Sequence, residues 1–259
     1  SYTGGTCPLY TSAVADDTAG VDLGGRRVIK KATLAFGNNV TLANDIVLDG
    51  TATIATNNFS GTLNGLVSGN GGLTVTTTAV VPFGGTVTLG NAGNSFAGTV
   101  TIGANAIVAV AADGALGALT NAVAINEGLL AVGGTFASDR SIALGGTFGQ
   151  VDVNGGETLT LNGLISGSEL RKGGAGTLIV GNGGNSFTGG VDVFDGELRV
   201  AASNALGTPG GLVQLFANGV LGATGTVSIG NDVQIVGAAT GINSGTGRFI
   251  IGGVLSGMN

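Results

Sequence analysis

The sequence of 259 residues contains no histidine, no tryptophan and a single cysteine. Without histidine, Ser-His-Asp and Cys-His nucleophile systems are impossible, and the commonest zinc ligand is missing. Sites built from carboxylates with Arg or Lys need no histidine, so this absence does not by itself exclude an enzyme. Cys7 stands alone, which excludes an intrachain disulfide and leaves a buried side chain, a free thiol or an intermolecular link open. No run of about 18 apolar residues occurs, so a membrane-spanning helix is excluded. Two tyrosines and no tryptophan match poorly the aromatic girdles of a transmembrane barrel. Charge is scarce as well: 9 basic residues stand against 15 acidic ones. Neutralising phosphates needs a basic stripe, so no nucleic-acid partner is expected. Arg26-Arg27 with Lys30-Lys31 is the one basic cluster, read as the solvated edge of a coil. No apolar leader opens the chain, which fits a mature or excised product.

Glycine is what the chain has in excess, 53 residues alongside 43% hydrophobic content. The glycines follow no three-residue period, which excludes collagen, and the hydrophobic content argues against disorder. Many turns joining short strands remain, the profile of an all-β solenoid or sandwich.

Self-alignment shows repeats. Asn94-Ser95-Phe96 recurs 91 residues on as Asn185-Ser186-Phe187. Around it, 85–117 matches 176–207 almost position for position. Gly65-Leu66-Val67-Ser68-Gly69 recurs as Gly163-Leu164-Ile165-Ser166-Gly167 and as Gly253-Val254-Leu255-Ser256-Gly257. Asn44-Asp45-Ile46-Val47-Leu48 recurs as Asn231-Asp232-Val233-Gln234-Ile235, with Asp139-Arg140-Ser141-Ile142-Ala143-Leu144 as a weaker middle copy. The chain therefore reads as one solenoid domain, 1–259, of three super-repeats, 1–94, 95–185 and 186–259.

Inside each unit the period is two. Thr86-Val87-Thr88-Leu89, Thr99-Val100-Thr101-Ile102, Thr158-Leu159-Thr160-Leu161 and Thr226-Val227-Ser228-Ile229 place aliphatic residues on one face and Thr or Ser on the other. Gly-Asn, Asp-Gly and Gly-Gly pairs between strands suit turns with positive φ. Three short strands and three turns need about 20 to 25 residues, so each unit holds about four coils. Asn91, Asn94, Asn182 and Asn185 fall at turns and are candidates for amide stacks between coils. At about 4.8 Å per coil, eleven or so coils give a rod of roughly 50 to 55 Å.

Carboxylate chemistry has few candidates: Asp16-Asp17, Asp139-Arg140, and Asp192, Asp195 and Glu197 with Arg199. Each is read as a solvated turn, because adjacent strand residues point to opposite faces and do not converge. The Asp192–Glu197 group also suits a calcium ion in residue type, but its counterparts in the preceding unit lack carboxylates. No catalytic residue, cofactor or metal site is assigned.

The string Gly174-Ala175-Gly176-Thr177-Leu178-Ile179-Val180-Gly181-Asn182-Gly183-Gly184-Asn185-Ser186-Phe187-Thr188-Gly189-Gly190-Val191-Asp192-Val193, continuing to Gly207, resembles the autotransporter-associated beta strand repeat. The match is strong over 174–207, good over 84–117 and partial at 1–6 and 57–69. The resemblance implies a right-handed parallel β-helix in the passenger region of a bacterial surface or secreted protein. A non-enzymatic structural or adhesive module is the expectation that follows, located outside the cell, with itself or with cell-surface and matrix components as partners.

The chain's ends fall inside the repeated motif. Ser1, Tyr2, Thr3 and Gly4 align with the motif's second half, while Gly257, Met258 and Asn259 stand before it. They are candidates for a head-to-tail junction, a heterologous contact that gives filaments. An excised passenger fragment is the alternative expectation. A sugar-binding or ice-binding face is the other, the latter suggested by the Thr-x-Thr segments at 86–88, 99–101 and 158–160.

Overall fold

Seven residues suffice for a short strand and a corner, and three such sides close one turn of a coil. A computed structural model describes residues 20–21, 27–30, 33–79, 83–238, 240–245 and 247–257, with side chains described from residue 33 onward. Within these residues the chain is a β-solenoid of parallel coils. The second side of the coil shows it most fully. Val40, Gly61, Val87, Val108, Leu130, Val151, Lys172, Val193, Leu215, Ile235 and Gly257 lie directly above one another in parallel register. Eleven levels in that column bound about ten full turns, in accord with the coil number expected.

The first side begins with Thr33–Ala35, Ala52–Ala55 and Leu73–Thr76. It continues through Val100–Ile102, Val123–Asn126 and the first part of Ile142–Val153. The third side runs through Ile46–Asp49 and Val67–Gly69. Farther along, it carries Thr158–Leu161, Thr177–Val180 and Glu197–Val200. One short 3-10 turn, Asp113–Leu116, is the exception to strand and turn among the described residues. The ladder's one antiparallel pair among them is Gly20–Val21 with Arg27–Lys30.

Alternation fills the interior. In Thr86–Leu89 the burial pattern puts Val87 and Leu89 inside, and in Thr177–Val180 it puts Leu178 and Val180 inside. Inward residues then stack on like residues one coil away, as Leu42, Leu63, Leu89, Val110, Val132 and Val153 do. Each aliphatic chain meets similar chains above and below, which packs a narrow core without large voids.

Phenylalanine fills the corners. Phe96 and Phe187, from the repeated Asn-Ser-Phe motif, are both 0% exposed. One coil on, each is roofed by the glycine of an Ala-Leu-Gly turn. Gly207 has φ +72, and a Cβ there would lie 2.3 Å from the Phe187 carbonyl oxygen and 2.8 Å from its ring. Gly117, φ +82, stands in the same relation to Phe96. The motif and the later glycine are thus one packing unit split between two coils, which is why they recur together.

The super-repeat does not hold a whole number of coils. Thr86–Leu89 lies on the second side, while its counterpart Thr177–Val180 lies on the third. The chain passes thirteen sides between them, four turns and one side more. The other cassettes advance equally: 44–48 is on the third side, 139–144 on the first and 231–235 on the second. The expectation of four coils per unit is therefore corrected to four and one-third. At seven residues per side, thirteen sides account for the 91-residue spacing.

Two tests follow. Val100 is fully enclosed, so Val100→Asp buries an unpaired charge and is expected to lower stability by at least about 4 kcal/mol, read as a shifted urea midpoint. Phe187→Ala empties a corner and is expected to cost about 3–5 kcal/mol, with Phe96→Ala matching it because the two environments are equivalent.

Candidate functional site

Corners leave backbone groups facing inward, and those must be bonded. The Asn residues singled out in the sequence do this work, but not as amide-on-amide stacks. Asn94 Oδ1 accepts the Val67 N–H one coil below at 2.8 Å, and its Nδ2 donates to the Ala115 carbonyl one coil above at 2.8 Å. Asn185 makes the same pair of bonds to Ile165 N–H and the Ala205 carbonyl. Asn91 and Asn182 bond the carbonyls of Asn64 and Asn162 and accept from Gly93 and Gly184 within their own turns. The amide ladder does not form because the neighbour across the coil from each side chain is a backbone group.

Two further donors, Arg140 and Asn231, occupy equivalent corners. Arg140, 3% exposed, donates to the Asp113 carboxylate at 2.9 Å and to the carbonyls of Asp113, Gly117, Ala118 and Asn121. Asn231, its counterpart in the next super-repeat, donates to the carbonyls of Leu206, Thr208 and Gly211. Both fasten the Ala-Leu-Gly turn that roofs the buried phenylalanine. Arg140 thus serves the interior, and Asp139 accepts from Asn162 Nδ2.

Lys172 was not marked by the sequence reading, although the alternation Leu170, Arg171, Lys172 already turns it inward. It occupies the aliphatic column between Val151 and Val193 and is 0% exposed. Its three ammonium hydrogens match three carbonyls, those of Gly173 at 2.7 Å, Gly174 at 2.6 Å and Asp195 at 2.9 Å. Burial lowers its pKa from the ordinary 10.5 to about 8, opposed by the carboxylates of Asp152 and Asp195.

The carboxylate candidates do not converge. Asp192 faces outward on the second side, 4.0 Å from Arg171, which is also paired with Glu169. Burial, followed by the Glu169 charge and against the pull of Arg171, raises the Asp192 pKa to about 6. Asp195 sits at the next corner and accepts the Gly196 N–H. Glu197 is on the third side, paired with Arg199 at 2.8 Å. No group of three or more metal-ligating side chains is present among the described residues. The Thr-x-Thr segments are on three different sides: Thr88 beside Thr62 and Ala109, Thr101 beside Thr74 and Ala124, Thr160 beside Ala137 and Ile179. They form no common flat array.

Of the junction candidates, Gly257 lies in the exposed strand Leu255–Gly257. Ser1, Tyr2, Thr3, Gly4, Met258 and Asn259 lie outside the described residues, as do Cys7 and Asp16-Asp17. The last described coil presents Val254 and Leu255, 65% and 54% exposed, with Ile250 and Ile242 nearby in sequence and also exposed.

Besides an apolar pocket of about 180 Å³ beside Leu89, Val110 and Val132, one side of the surface stands out. Outward on the second side run Gln150, Arg171, Asp192, Gln214, Gln234 and Ser256, one per coil and in register. Arg171 lies over the Phe148 ring at 3.8 Å, and Gln214 donates to Gln234 at 2.8 Å. Beside this row Phe194 stacks on Phe216, with ring centroids 4.8 Å apart.

Comparison with known proteins gives one relative to set beside this geometry. Over 180 residues the chain is 31% identical to the Adhesin BmaC autotransporter of Brucella suis biovar 1 (strain 1330), covering 61% of this chain and 5% of the relative. The resemblance to autotransporter repeats therefore has a counterpart in an autotransporter adhesin, of whose length the chain spans a small part. No family model matches, and no solved structure matches. No helix among the described residues is long and apolar enough to cross a membrane.

The Lys172 corner yields a test with a definite sign. A lowered folded-state pKa means the unfolded chain binds more protons between the two values, so stability rises as pH rises from about 8 towards 10.5 and is lost again on descent. Denaturant titrations across that window are expected to show the slope, and Lys172→Met, which suits the aliphatic column, is expected to remove it.

Proposed function

We propose that this chain is an adhesive β-solenoid carried outside a bacterial cell, and that further coils stack on its last described one. The observation that supports adhesion most directly is the 31% identity to an autotransporter adhesin over 180 residues. The composition agrees: charge is low, histidine is absent, and Asp192, Asp195 and Glu197 are divided between two sides and a corner. Such a rod acts by presenting surface.

Stacking is supported by the last described coil. Leu255 stands in the column of Leu170, Val191, Val213 and Val233, all of them buried, yet is 54% exposed, and among the described residues its strand pairs on one flank, with Val233–Ile235. An open parallel edge with apolar residues beside it templates another coil. We assign that coil to a second copy of the chain, joined head to tail. A larger passenger that continues through this point is the second reading, favoured by the small fraction of the relative that the chain spans.

Adhesion is tested by displaying the chain on a non-adherent bacterial strain and counting cells retained on epithelial monolayers. Retention several-fold above an empty display control is expected; equality with the control would refute the adhesive reading. For stacking, sedimentation of the purified chain is expected to show concentration-dependent assembly that Leu255→Glu abolishes. A monomer at every concentration would overturn self-stacking, and a native product well above 24.8 kDa would favour the longer passenger.

A further inference from the structure

The outward second side between Phe148 and Gln234 differs from the rest of the surface. On the same side, nearer the N-terminal end, outward positions hold small or apolar groups: Thr62, Thr88, Ala109 and Ala131 in one column. Beyond Asp152 that column becomes Gly173 and then Phe194, whose N–H bonds the Lys172 carbonyl, and Phe216, whose N–H bonds the Val193 carbonyl. The adjacent column changes in step, to Gln150, Arg171, Asp192, Gln214 and Gln234. An aromatic column thus runs beside a column of planar hydrogen-bonding groups.

Phe194 is conspicuous by its exposure. Phe36, Phe96 and Phe187 are almost wholly buried, yet Phe194 is 37% exposed, with one ring face stacked on Phe216 of the next coil. Its polar neighbours are also held: Arg171 by Phe148 and Glu169, Gln150 by Asp152 at 2.9 Å, and Gln214 by Gln234. Half-buried side chains already fixed by neighbours lose little freedom when a ligand binds.

From this we infer that the second side from Gln150 to Gln234 binds an extended neutral oligosaccharide laid along the rod axis. The inference rests on the adhesive reading and names its ligand class. A pyranose ring offers an apolar face of C–H groups and an edge of hydroxyls. Phe194 meets that apolar face with the ring face turned from Phe216 towards Gly173, which has no side chain to cover it, while Asp192, Gln214, Gln234 and Arg171 take the hydroxyls, carboxylate and amide oxygens accepting and amide and guanidinium N–H groups donating. Successive coils are about 4.8 Å apart, close to the advance of one sugar in an extended glycan, so each ring meets one coil. The carboxylates of Asp152, Glu169 and Asp192 on this side, in a chain of net charge -6, disfavour sialylated or sulfated glycans.

The test is a glycan array of neutral, sialylated and sulfated oligosaccharides, followed by titration calorimetry with the best neutral hit. Binding to extended neutral glycans is expected, weakened about tenfold by Phe194→Ala, on the scale of one aromatic contact, and similarly by Gln214→Ala. Phe59→Ala, which removes another exposed phenylalanine at a corner about six coils nearer the N-terminal end, is expected to leave binding unchanged. Unaltered thermal unfolding of the Phe194 and Gln214 variants separates a lost contact from a lost fold. An array blank for neutral glycans, a preference for acidic ones, or wild-type binding by both variants would overturn the inference. Adhesion of displayed cells alongside a blank array would overturn it while leaving the adhesive reading intact, whereas loss of both would remove the two together.

Discussion

The parallel hydrogen-bond ladder between coils is the constraint on which everything else depends. Apart from the antiparallel pair Gly20–Val21 with Arg27–Lys30, the described strands pair with no strand of their own coil; their N–H and C=O groups bond the coils before and after. A coil is therefore stable only as a member of a stack. This demand for register keeps the coil close to three sides of seven residues. Where the chain departs from it, as between Gly61 and Val87 on the second side, the extra residues lie in the connection between strands and the ladder resumes in step.

Corners answer a second demand, that inward-facing carbonyls be bonded without widening the core. Asn94 and Asn185 do so with one amide spanning three coils, Arg140 and Asn231 with several donors under one turn, and Lys172 with an ammonium. Arg140 brings a full charge inward and carries Asp113 with it as a partner, a compensation that neutral Asn231 does not need.

Much of this was legible in the residues. Alternation in Thr86–Leu89 and Thr177–Val180 gives the inward face directly, and the recurrence of Asn-Ser-Phe marks equivalent corners. The amide stack at Asn91, Asn94, Asn182 and Asn185 was misjudged because sequence places a side chain at a turn without saying what lies one coil away. Lys172 was missed for a related reason: a charged residue reads as surface, and the three carbonyls that admit it come from two later turns, at Gly173-Gly174 and Asp195. The Phe194 and Phe216 pair was hidden by a separation of 22 residues that only the coil length brings together.

The additional third of a turn makes the super-repeat a screw operation. Lengthening the chain by copying one unit moves every copied surface forward along the rod and around it by one side, so equivalent patches trace a spiral and return to the same side only after three units. Copies on neighbouring sides look in different directions and do not crowd one another. A rod enlarged by duplication therefore acquires contacts for targets arranged around its circumference, and each side's outward residues are left free to diverge while the interior remains interchangeable.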